Sequence, residues 1–447
     1  MNSHPRVVVL GAAESGVGAA LLAKSKGISV FVSDYGFIRN DFKITLTEAG
    51  IDFEENKHSE QLILSADEII KSPGIPDKAP VVAAALAKGI PVISEIEFAG
   101  RYTNAKKICI TGSNGKTTTT MLIWHMLQKA GLNAGLAGNV GKSFARQVAS
   151  EEHDYYVIEL SSFQLDGMYR FKADIAILLN ITPDHLDRYD NDFSKYADSK
   201  MRILQNQSEN DAVIWCCDDE ILNQRFGQLK LTQGAYPISI RKPISNGAFS
   251  ENQKIEFNIK GDKFDMTLEE LALQGKHNIY NSMAAGVAAR LVDIRKETIK
   301  ECLSDFQNVE HRLEFVANIH GIEFINDSKA TNINSAWYAL ESLNKKIVWI
   351  AGGIDKGNDY TKLYDLVQQK VKAIVCLGTD NEKLIDAFKD KVEIINEAQS
   401  AEEAVNIAYY LARKGDAVLL SPACASFDLF ENYEDRGRKF KAAVKSL

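Results

Sequence analysis

Short apolar runs alternate with helical patterns along the whole sequence, and they group into three blocks. The first block opens with the apolar run at 7–10, passes a glycine turn into a helical pattern at 18–26, and returns through an apolar run at 30–32. Ser72-Pro73-Gly74 interrupts the block before it ends near Ile93. Strands and helices in alternation are typical of an α/β unit with a parallel sheet.

The second block begins with a β-branched strand, a glycine-rich turn and a helix, which together occupy 107–130. Further strands are predicted at 156–160 and 173–179, and this order indicates a parallel sheet. The rhythm changes at 238–267, where short alternating runs and polar turns predict an antiparallel insert. A helix is predicted after the insert, at 277–291.

The third block repeats the α/β pattern, with strands predicted at 322–325, 347–351, 373–377 and 417–420. A chain of 447 residues is longer than one hydrophobic core usually supports. We therefore predict three domains, at 1–97, 98–308 and 309–447. The expected fold class is α/β: a Rossmann-like N-terminal domain, a central P-loop ATPase-type parallel sheet with a small antiparallel insert, and a Rossmann-like C-terminal domain.

Composition narrows the classes of function. The formal net charge of −8 argues against a nucleic-acid partner, because such proteins need a basic face to neutralise phosphates. The six cysteines show no CxxC pairing, so we expect reduced core residues. The sequence shows neither a leader peptide nor an apolar run of membrane-spanning length, so we expect a cytoplasmic protein without membrane insertion. We also expect a monomer.

The strongest local signal is the run Thr111-Gly112-Ser113-Asn114-Gly115-Lys116-Thr117, between a predicted strand and a predicted helix. Glycines let backbone N–H groups curl around phosphate oxygens, and the helix N-terminus adds positive potential. Lys116 can neutralise phosphate charge, and the Thr117 hydroxyl can ligate Mg²⁺. Ile110 stands where the usual P-loop has its first glycine, so the run is a short variant, and an ordinary glycine turn is the alternative.

Three more candidate residues follow this loop along the chain. Glu159 ends an apolar strand; alone it is typical of a solvated acid, but beside Lys116 and Thr117 a metal ligand is favoured. His185, in the run NITPDHLDR after the next strand, is open between a structural role and a metal or substrate role. Lys200, in a helix-like segment, is by itself typical of an exposed helical lysine.

Taken together, these motifs resemble the Mur ligases. The resemblance rests on seven runs in the family's order, which span the whole chain: GSNGKTT, ELSSFQL, NITPDHLDRY, GKHNIYN, EHRLE, NDSKATN and SPACASFDLFENYEDRG. NDSKATN and the last run are most similar to the members that add D-glutamate, rather than to those that add L-alanine, the third residue or the dipeptide. The resemblance implies a UDP-binding N-terminal domain, a central ATPase domain and a C-terminal domain with the amino-acid site.

The resemblance also implies the reaction of an ATP-dependent, ADP-forming acid–amino-acid ligase. ATP would phosphorylate the carboxylate of UDP-N-acetylmuramoyl-L-alanine, and the amine of D-glutamate would attack the acyl phosphate to give an amide and phosphate. The reaction is a step of peptidoglycan synthesis, and thus of cell wall biogenesis, cell shape and cell division.

The family's ATP and metal residues carry over by motif. ATP is expected at Gly112, Ser113, Asn114, Gly115, Lys116, Thr117 and Thr118, with Asn278 at adenine and Arg312 and Asp327 at ribose and phosphates. Thr117 and Glu159 would ligate one Mg²⁺, while His185 and Lys200 would serve a second. Lys200 would act as a carbamate made from CO₂, because a free ammonium would be repelled by two Mg²⁺ ions. Asn139 would orient the transferring group, which completes an expected catalytic set with Lys116, His185 and Lys200.

The substrate residues also carry over from the resemblance. The UDP-substrate is expected at Gly11, Glu14, Ser15, Asp34, Ser72 and Gly74, and D-glutamate at Lys329, Thr331, Lys356, Ser426 and Tyr433. A lysine and hydroxyl donors from separate loops can give each carboxylate of D-glutamate its own partner. Two positions depart from the family pattern. Tyr433 stands where some relatives have phenylalanine, and Asp34-Tyr35-Gly36 lacks the threonine-arginine pair that some relatives place after the aspartate, which leaves the uridine contacts open.

Other functions remain open at this point. The run Gly11-Ala12-Ala13-Glu14-Ser15-Gly16 with Asp34 approximates the dinucleotide fingerprint of a dehydrogenase, but Ala13 replaces its second glycine. A non-catalytic NTP-binding switch would use Lys116 and Thr117 and leave the motifs of the third block unexplained. Within the ligases, a sibling Mur ligase or a folylpolyglutamate-type synthetase is the runner-up.

Overall fold

The computed structural model describes residues 6–306, 310–355 and 357–447. The chain forms two compact units, one of residues 6–272 and 279–306 and the other of residues 273–278 and 310–447. The first unit contains two β-sheets and the second contains one.

The N-terminal sheet lies at the start of the first unit. Its elements are β1 (Arg6–Leu10), α1 (Glu14–Ser25), β2 (Ser29–Ser33), α2 (Asn40–Glu48), β3 (Asp52–Glu54), α3 (Glu60–Ile63), β4 (Glu68–Lys71), α4 (Pro80–Ala87), β5 (Val92–Ile93) and α5 (Glu95–Gly100). All pairings are parallel, in the order β3-β2-β1-β4-β5. Because the order reverses between β1 and β4, the loops after these two strands flank the crevice where open α/β sheets bind ligands.

The central sheet completes the first unit. Its strands and helices are β6 (Lys106–Thr111), α6 (Lys116–Lys129), β7 (Ala134–Gly138), α7 (Phe144–Ser150), β8 (Tyr155–Glu159), α8 (Ser162–Asp166), β9 (Ile175–Leu178), α9 (Phe193–Met201), β10 (Ala212–Cys216), α10 (Glu220–Gly227), β11 (Gly234–Ser239), β12 (Gly247–Glu251), β13 (Lys254–Ile259), β14 (Asp262–Thr267), α11 (Lys276–Leu291) and α12 (Lys296–Asp305). Short 3₁₀ helices cover Leu186–Tyr189, Arg202–Leu204 and Leu268–Glu270. The sheet has nine strands in the order β14-β13-β12-β11-β10-β9-β6-β8-β7.

The second unit contains a six-stranded sheet. Its elements are β15 (Glu314–Ile319), β16 (Ile322–Asn326), α13 (Ile333–Ser342), β17 (Ile347–Gly352), the 3₁₀ helix Tyr360–Leu363, α14 (Tyr364–Lys370), β18 (Val371–Leu377), α15 (Glu382–Phe388), β19 (Ile394–Ala398), α16 (Ala401–Leu411), β20 (Ala417–Ala423) and α17 (Tyr433–Lys445). The strand order is β15-β16-β20-β17-β18-β19. Only β15 is antiparallel to its neighbour. Helices cover both faces, so the central strands β17 and β20 are buried along their whole length.

The predicted α/β fold class is confirmed, with two refinements. The predicted antiparallel segment is present as β12, β13 and β14, and it is continuous with the central sheet, because β12 pairs in parallel with β11 and β11 with β10. The C-terminal sheet is mixed because β15 pairs antiparallel with β16.

The domain boundaries after residues 97 and 308 stay predictions, and 308 and 309 lie outside the described residues. Within the described residues, no helix combines the length and apolarity that a membrane crossing requires.

Candidate active site

The predicted phosphate loop joins β6 to α6, at the carboxyl edge of the central sheet. Gly112 and Gly115 have φ angles of 153° and 83°, in the region that favours glycine, and α6 begins directly afterwards at Lys116. The ammonium of Lys116 donates to the carbonyl oxygens of Gly112 and Ser113 at 2.9 and 2.8 Å. The loop therefore curls around its own lysine at a helix N-terminus, which is the local geometry of an anion site.

A second segment fixes this loop from the neighbouring strand. The side chain of Asn180, two residues after the end of β9, accepts from the backbone N–H of Asn114 at 2.8 Å and donates to its carbonyl at 3.0 Å. Ser113 donates its hydroxyl to the carbonyl of Thr182 at 2.9 Å, and its hydroxyl also lies 3.0 Å from that of Tyr196. These contacts order the loop before any ligand binds, which reduces the entropy lost on binding.

Glu159 lies beside the phosphate loop, as the sequence predicts. It is the last residue of β8, it is buried, and it pairs in register with Ile110 of β6. The side-chain amide of Asn139 donates to the Glu159 carboxylate at 3.1 Å. Thr117, in the first turn of α6, is buried as well. A carboxylate and a hydroxyl are oxygen ligands of the kind that Mg²⁺ prefers, so these two residues fit the metal that the resemblance implies.

Lys200 is buried, with only 2% of its surface exposed, so the alternative of an exposed helical lysine is wrong. Its ammonium donates to the carbonyl of Gly112 at 2.9 Å and lies 4.7 Å from the ring centre of Tyr196. Burial, together with the nearby charge of Lys116, lowers the pKa of Lys200 well below its usual range, although Asp184, Asp166 and Glu159 act in the opposite direction. The amino group is therefore held close to the phosphate loop, in surroundings that favour its neutral form more than those of an exposed lysine.

His185 follows β9 and has a left-handed backbone, with a φ angle of 52°. Its ring is 39% exposed, its Nε2 lies 3.7 Å from a carboxylate oxygen of Asp184, and it packs edge-on against Phe163 at 5.2 Å between ring centres. An accessible imidazole on a constrained backbone fits a ligand-binding role better than a core role. Its assignment to a metal stays a prediction.

The N-terminal loops bring Gly11 and Ser72 together. A Cβ on Gly11, whose φ angle is 90°, would lie 2.6 Å from the Ser72 hydroxyl, so the close approach of the two loops requires glycine there. Glu14 and Asp34 already serve the fold. Glu14 accepts from the backbone N–H of Ser143 and from Arg146, at 3.1 and 2.9 Å.

The carboxylate of Asp34 accepts from the N–H groups of Ala12 and Gly36, at 2.7 and 2.8 Å. The bond to Ala12 holds the loop between β1 and α1 in its conformation. The remaining predicted contacts of this pocket lie on the same two loops, at Ser15 in the first turn of α1 and at Gly74 after β4. All six assignments to the UDP-substrate stay predictions.

In the second unit, four of the residues predicted for D-glutamate lie on loops that follow adjacent strands or start α17. Lys329 and Thr331 follow β16, and the ammonium of Lys329 lies 5.2 Å from the ring centre of Tyr433, the first residue of α17. Ser426 follows β20 and is buried. The neighbouring Ala425 pairs with Ile354 through two backbone hydrogen bonds of 2.9 and 3.2 Å. Lys356 lies outside the described residues.

Arg436 connects these loops, and sequence analysis did not assign it a role, although it stands in the last of the seven family motifs. Its guanidinium is buried and donates to the hydroxyl and carbonyl of Ser328, at 3.0 and 2.9 Å, and to the carbonyl of Cys424 at 3.3 Å. Burial lowers the pKa of Arg436 to about 10. The side chain therefore fixes the spacing between the loops that bear Lys329 and Ser426.

The residues predicted at the nucleotide's base and ribose occur in this unit as well. Asp327 is buried and accepts from the Ser421 hydroxyl at 2.9 Å and the N–H of Leu313 at 3.2 Å, and burial raises its pKa to about 7. Arg312 is close enough to stabilise the Asp327 carboxylate electrostatically. The side chain of Asn278 donates to the carbonyl of Gln274 at 2.8 Å. Their assignment to ATP stays a prediction.

Sequence reasoning did not assign Asn180, Tyr196 or Phe163, which surround the phosphate loop and His185. Asn180 opens the run NITPDHLDR, so its place directly after a strand was a usable signal. Tyr196 and Phe163 had no comparable signal, because a single aromatic residue at helical spacing is more often part of a core.

Three domain families match the chain. The MurD-like N-terminal domain of Mur ligases matches residues 5–94, the Mur ligase middle domain matches residues 110–289, and the glutamate ligase domain of Mur ligases matches residues 311–424. Among solved structures, the chain is similar to the UDP-N-acetylmuramate-alanine ligase MurC of Thermotoga maritima, with 19% identity, a TM-score of 0.64 and coverage of 99% of this chain and 100% of that one. A pseudomurein peptide ligase type C of Methanothermus fervidus gives 20% identity, a TM-score of 0.62 and coverage of 99% and 100%. At such identities, the likeness shows the fold alone.

Curated relatives are much more similar in sequence. A UDP-N-acetylmuramoylalanine–D-glutamate ligase of Bacteroides fragilis is 57% identical over 443 residues, covering 99% of this chain and 100% of the relative. A protein of the same name from Cytophaga hutchinsonii is 51% identical over 447 residues, covering 99% of each chain. With three matching domain families and this identity across both full lengths, the chain belongs to the Mur ligase family, in its MurD-like branch.

Proposed function

We propose that this protein ligates D-glutamate to UDP-N-acetylmuramoyl-L-alanine at the expense of ATP, as a step of peptidoglycan synthesis. The observation that carries this proposal is the full-length similarity to ligases named for that reaction. The phosphate loop with Glu159 beside it supports the ATP-dependent step independently, because this edge of the sheet can hold a triphosphate and its metal ion. The use of ATP is the reason to place the reaction in the cytoplasm.

In the first step, a carboxylate oxygen of the UDP-substrate attacks the terminal phosphorus of ATP, and ADP leaves. Lys116 lies where it can neutralise charge on the transferring group, and the N-terminus of α6 aims backbone N–H groups at the same place. Thr117 and Glu159 would hold a Mg²⁺ ion, which supplies charge neutralisation between the phosphates. Asn139 holds the Glu159 carboxylate and thereby orients it.

In the second step, the amine of D-glutamate attacks the acyl carbon and an amide bond forms. The bond between the acyl carbon and the phosphate oxygen breaks, inorganic phosphate leaves, and the proton that the amine loses is released to the solvent. Lys329, Thr331, Lys356, Ser426 and Tyr433 are assigned to hold the amino acid. Hydroxyl and ammonium donors on separate loops suit a dicarboxylate, because each carboxylate can take its own donors and leave the amine free.

We assign a carbamate to Lys200. Its neutral amine would attack the carbon of CO₂, an N–C bond would form, and one proton would leave the nitrogen to give an anionic oxygen ligand. Burial of the amine beside the phosphate loop and Lys116 supports this, because both lower its pKa towards the nucleophilic neutral form, and burial shields the product from water. A carbamate would suit a second Mg²⁺ ion, whereas an ammonium would not.

The test of the function is a phosphate-release assay with purified protein, ATP, Mg²⁺, UDP-N-acetylmuramoyl-L-alanine and one candidate amino acid at a time. D-glutamate should be the amino acid that stimulates release, with an amide product of the expected mass. L-alanine, L-lysine and diaminopimelate are the informative competitors, because sibling ligases add such residues. Stimulation by one of these and not by D-glutamate would replace the proposal with a sibling activity.

A further inference from the structure

Arg188 connects the N-terminal loops to the central sheet within the first unit. One guanidinium nitrogen donates to the carbonyl of Gly74 at 3.2 Å, and another donates to the carbonyl of Pro73 at 3.4 Å. Both acceptors belong to the loop after β4, one of the two loops that flank the ligand crevice of the N-terminal sheet. A planar guanidinium can contact two successive carbonyls in this way, and an ammonium cannot do so in the same plane.

The same guanidinium stacks on a ring that belongs to the catalytic edge. Its carbon lies 4.3 Å from the ring centre of Phe163, and that ring also contacts His185 at 5.2 Å and Tyr189 at 6.1 Å. Phe163 lies in α8, four residues after Glu159 in the sequence. A capping box between Ser161 and Gln164 fixes the start of that helix. The position of Arg188 is therefore defined relative to Glu159.

Arg188 and Phe163 line a cleft of about 240 Å³. Lys71, Asp77 and Lys78 line it from the N-terminal domain, and Asp166, Tyr189 and Asp190 line it from the central domain. The cleft thus lies between the loop after β4 and the segment around His185. We infer that a substrate held by the N-terminal loops and reacting beside Glu159 lies along this cleft.

We propose that Arg188 is a positioning residue for the acid substrate. It sets the register of the loop 72–74 against the catalytic edge, so that a nucleotide-sugar held by that loop presents its carboxylate to the phosphate loop. The inference rests on the proposed function, because the substrate class comes from it. Phe163 is the surface against which the guanidinium is held flat.

The test compares three variants by steady-state kinetics of the complete reaction. Arg188→Met should raise the KM for UDP-N-acetylmuramoyl-L-alanine about tenfold, because the loop loses two charge-assisted hydrogen bonds. The KM for ATP and kcat should stay within about twofold, since Arg188 contacts neither the phosphate loop nor Glu159. Arg188→Lys should fall between the wild type and Arg188→Met, and Arg170→Met, at an exposed arginine of the same domain, is the matched control.

Phe163→Leu supplies a second route to the same conclusion. If the ring holds the guanidinium in place, the effects of Phe163→Leu and Arg188→Met on the KM of the acid substrate should be less than additive in the double variant. A KM for the acid substrate that stays at the wild-type value in Arg188→Met overturns the inference. So does a parallel rise of the KM values for all three substrates, which would indicate a structural role only.

The inference and the proposed function fail in different ways. Wild-type protein that releases no phosphate in response to D-glutamate would remove the function, whatever the variants do. Wild-type protein that does so, combined with an unchanged Arg188→Met, would remove only the inference. Thermal unfolding of each variant, measured beside the wild type, identifies any that fail to fold, and Arg188→Lys and Phe163→Leu then decide the matter.

Discussion

Lys200 is a functional candidate whose burial could not be predicted from the residues around it in the sequence. Lys200 lacks a distinctive local pattern, so from its own surroundings in the sequence it is typical of a surface lysine. Only the resemblance to the family singled it out, and the structure places it under the carbonyl of Gly112. Glycines, Lys116 and Thr117 were predictable because the phosphate loop is contiguous, whereas Tyr196 and Asn180 reach that loop only through tertiary structure.

The state of Lys200 can be tested directly. In protein equilibrated with ¹³C-labelled bicarbonate, we expect a carbamate carbonyl signal in the ¹³C NMR spectrum, because burial favours the neutral form of the Lys200 amine and that form reacts with CO₂. Lys200→Arg should lack the signal, since a guanidinium stays protonated and does not form a carbamate. Lys106→Arg, at an exposed lysine at the start of β6, is the control and should retain it. An unchanged signal in Lys200→Arg would assign the carbamate to another residue.

At the scale of elements, most of the strands that were predicted correctly are buried, although the buried strand β10 was not predicted. β6, β8, β17 and β20 are apolar because helices cover both faces of the sheet. The strands that the sequence did not reveal include β7, whose run AGLAG has weak strand propensity, and β19, which is largely exposed. Both are edge strands, and an edge position reduces the apolar pattern on which such predictions depend.

The contact between the phosphate loop and the segment after β9 gives an element-scale prediction. Asn180→Ala removes both hydrogen bonds to the backbone of Asn114. In the variant, the phosphate loop therefore loses conformational entropy at the moment when ATP binds, which weakens binding. We expect the KM for ATP to rise about tenfold while the KM for D-glutamate changes little. Asn133→Ala, which removes an exposed amide contact to Glu152, is the matched control. An ATP KM equal to that of the control would show that the loop is held without Asn180.

A second element-scale prediction concerns the pH dependence of stability. Glu95, the first residue of α5, is fully buried and accepts from the N–H of Ala145 in α7, and burial raises its pKa from 4.5 to about 7. Between these two values the folded protein binds a proton that the unfolded chain has lost. The free energy of unfolding of the wild type should therefore fall as pH rises from about 4.5 to about 7, by about 3 kcal/mol at most.

Glu95→Gln keeps an oxygen for Ala145 and cannot ionise, so it escapes this loss. The difference in Tm between the variant and the wild type should move in favour of the variant between pH 5 and pH 8, in scans by calorimetry at each pH. Glu209→Gln, at an exposed acid, should show no such trend. A constant difference across this range would mean that Glu95 is already ionised at pH 5.

At the scale of the whole molecule, the family and its three-domain α/β plan were predictable, since the motifs span the chain in order. The roles of polar residues between domains were not. Glu14 was predicted to bind the UDP-substrate, and its carboxylate connects α1 of the N-terminal domain to Ser143 and Arg146 of the central domain. A pattern in the sequence cannot distinguish these roles, because both need an acid directly after a glycine turn.

Glu14→Ala separates the two roles. If the carboxylate mainly connects the two domains, the free energy of unfolding should fall by about 1 kcal/mol, as the N–H of Ser143 loses its acceptor. The KM for the UDP-substrate should then stay close to that of the wild type. A large rise in this KM with unchanged denaturant unfolding would instead support the predicted substrate contact. Glu48→Ala, at an exposed acid that ends α2, is the control for both measurements.

The buried guanidinium of Arg436 has a consequence for attempts to redesign the enzyme. Because Arg436 hydrogen-bonds to the backbones of both Ser328 and Cys424, the two loops that we assign to the amino acid cannot separate without breaking several buried hydrogen bonds. A larger amino acid would then require smaller side chains on these loops, because the distance between the backbones of Ser328 and Cys424 is held by Arg436. At the residues that we assign to D-glutamate, rigid dicarboxylate mimics are therefore expected to bind better than flexible ones.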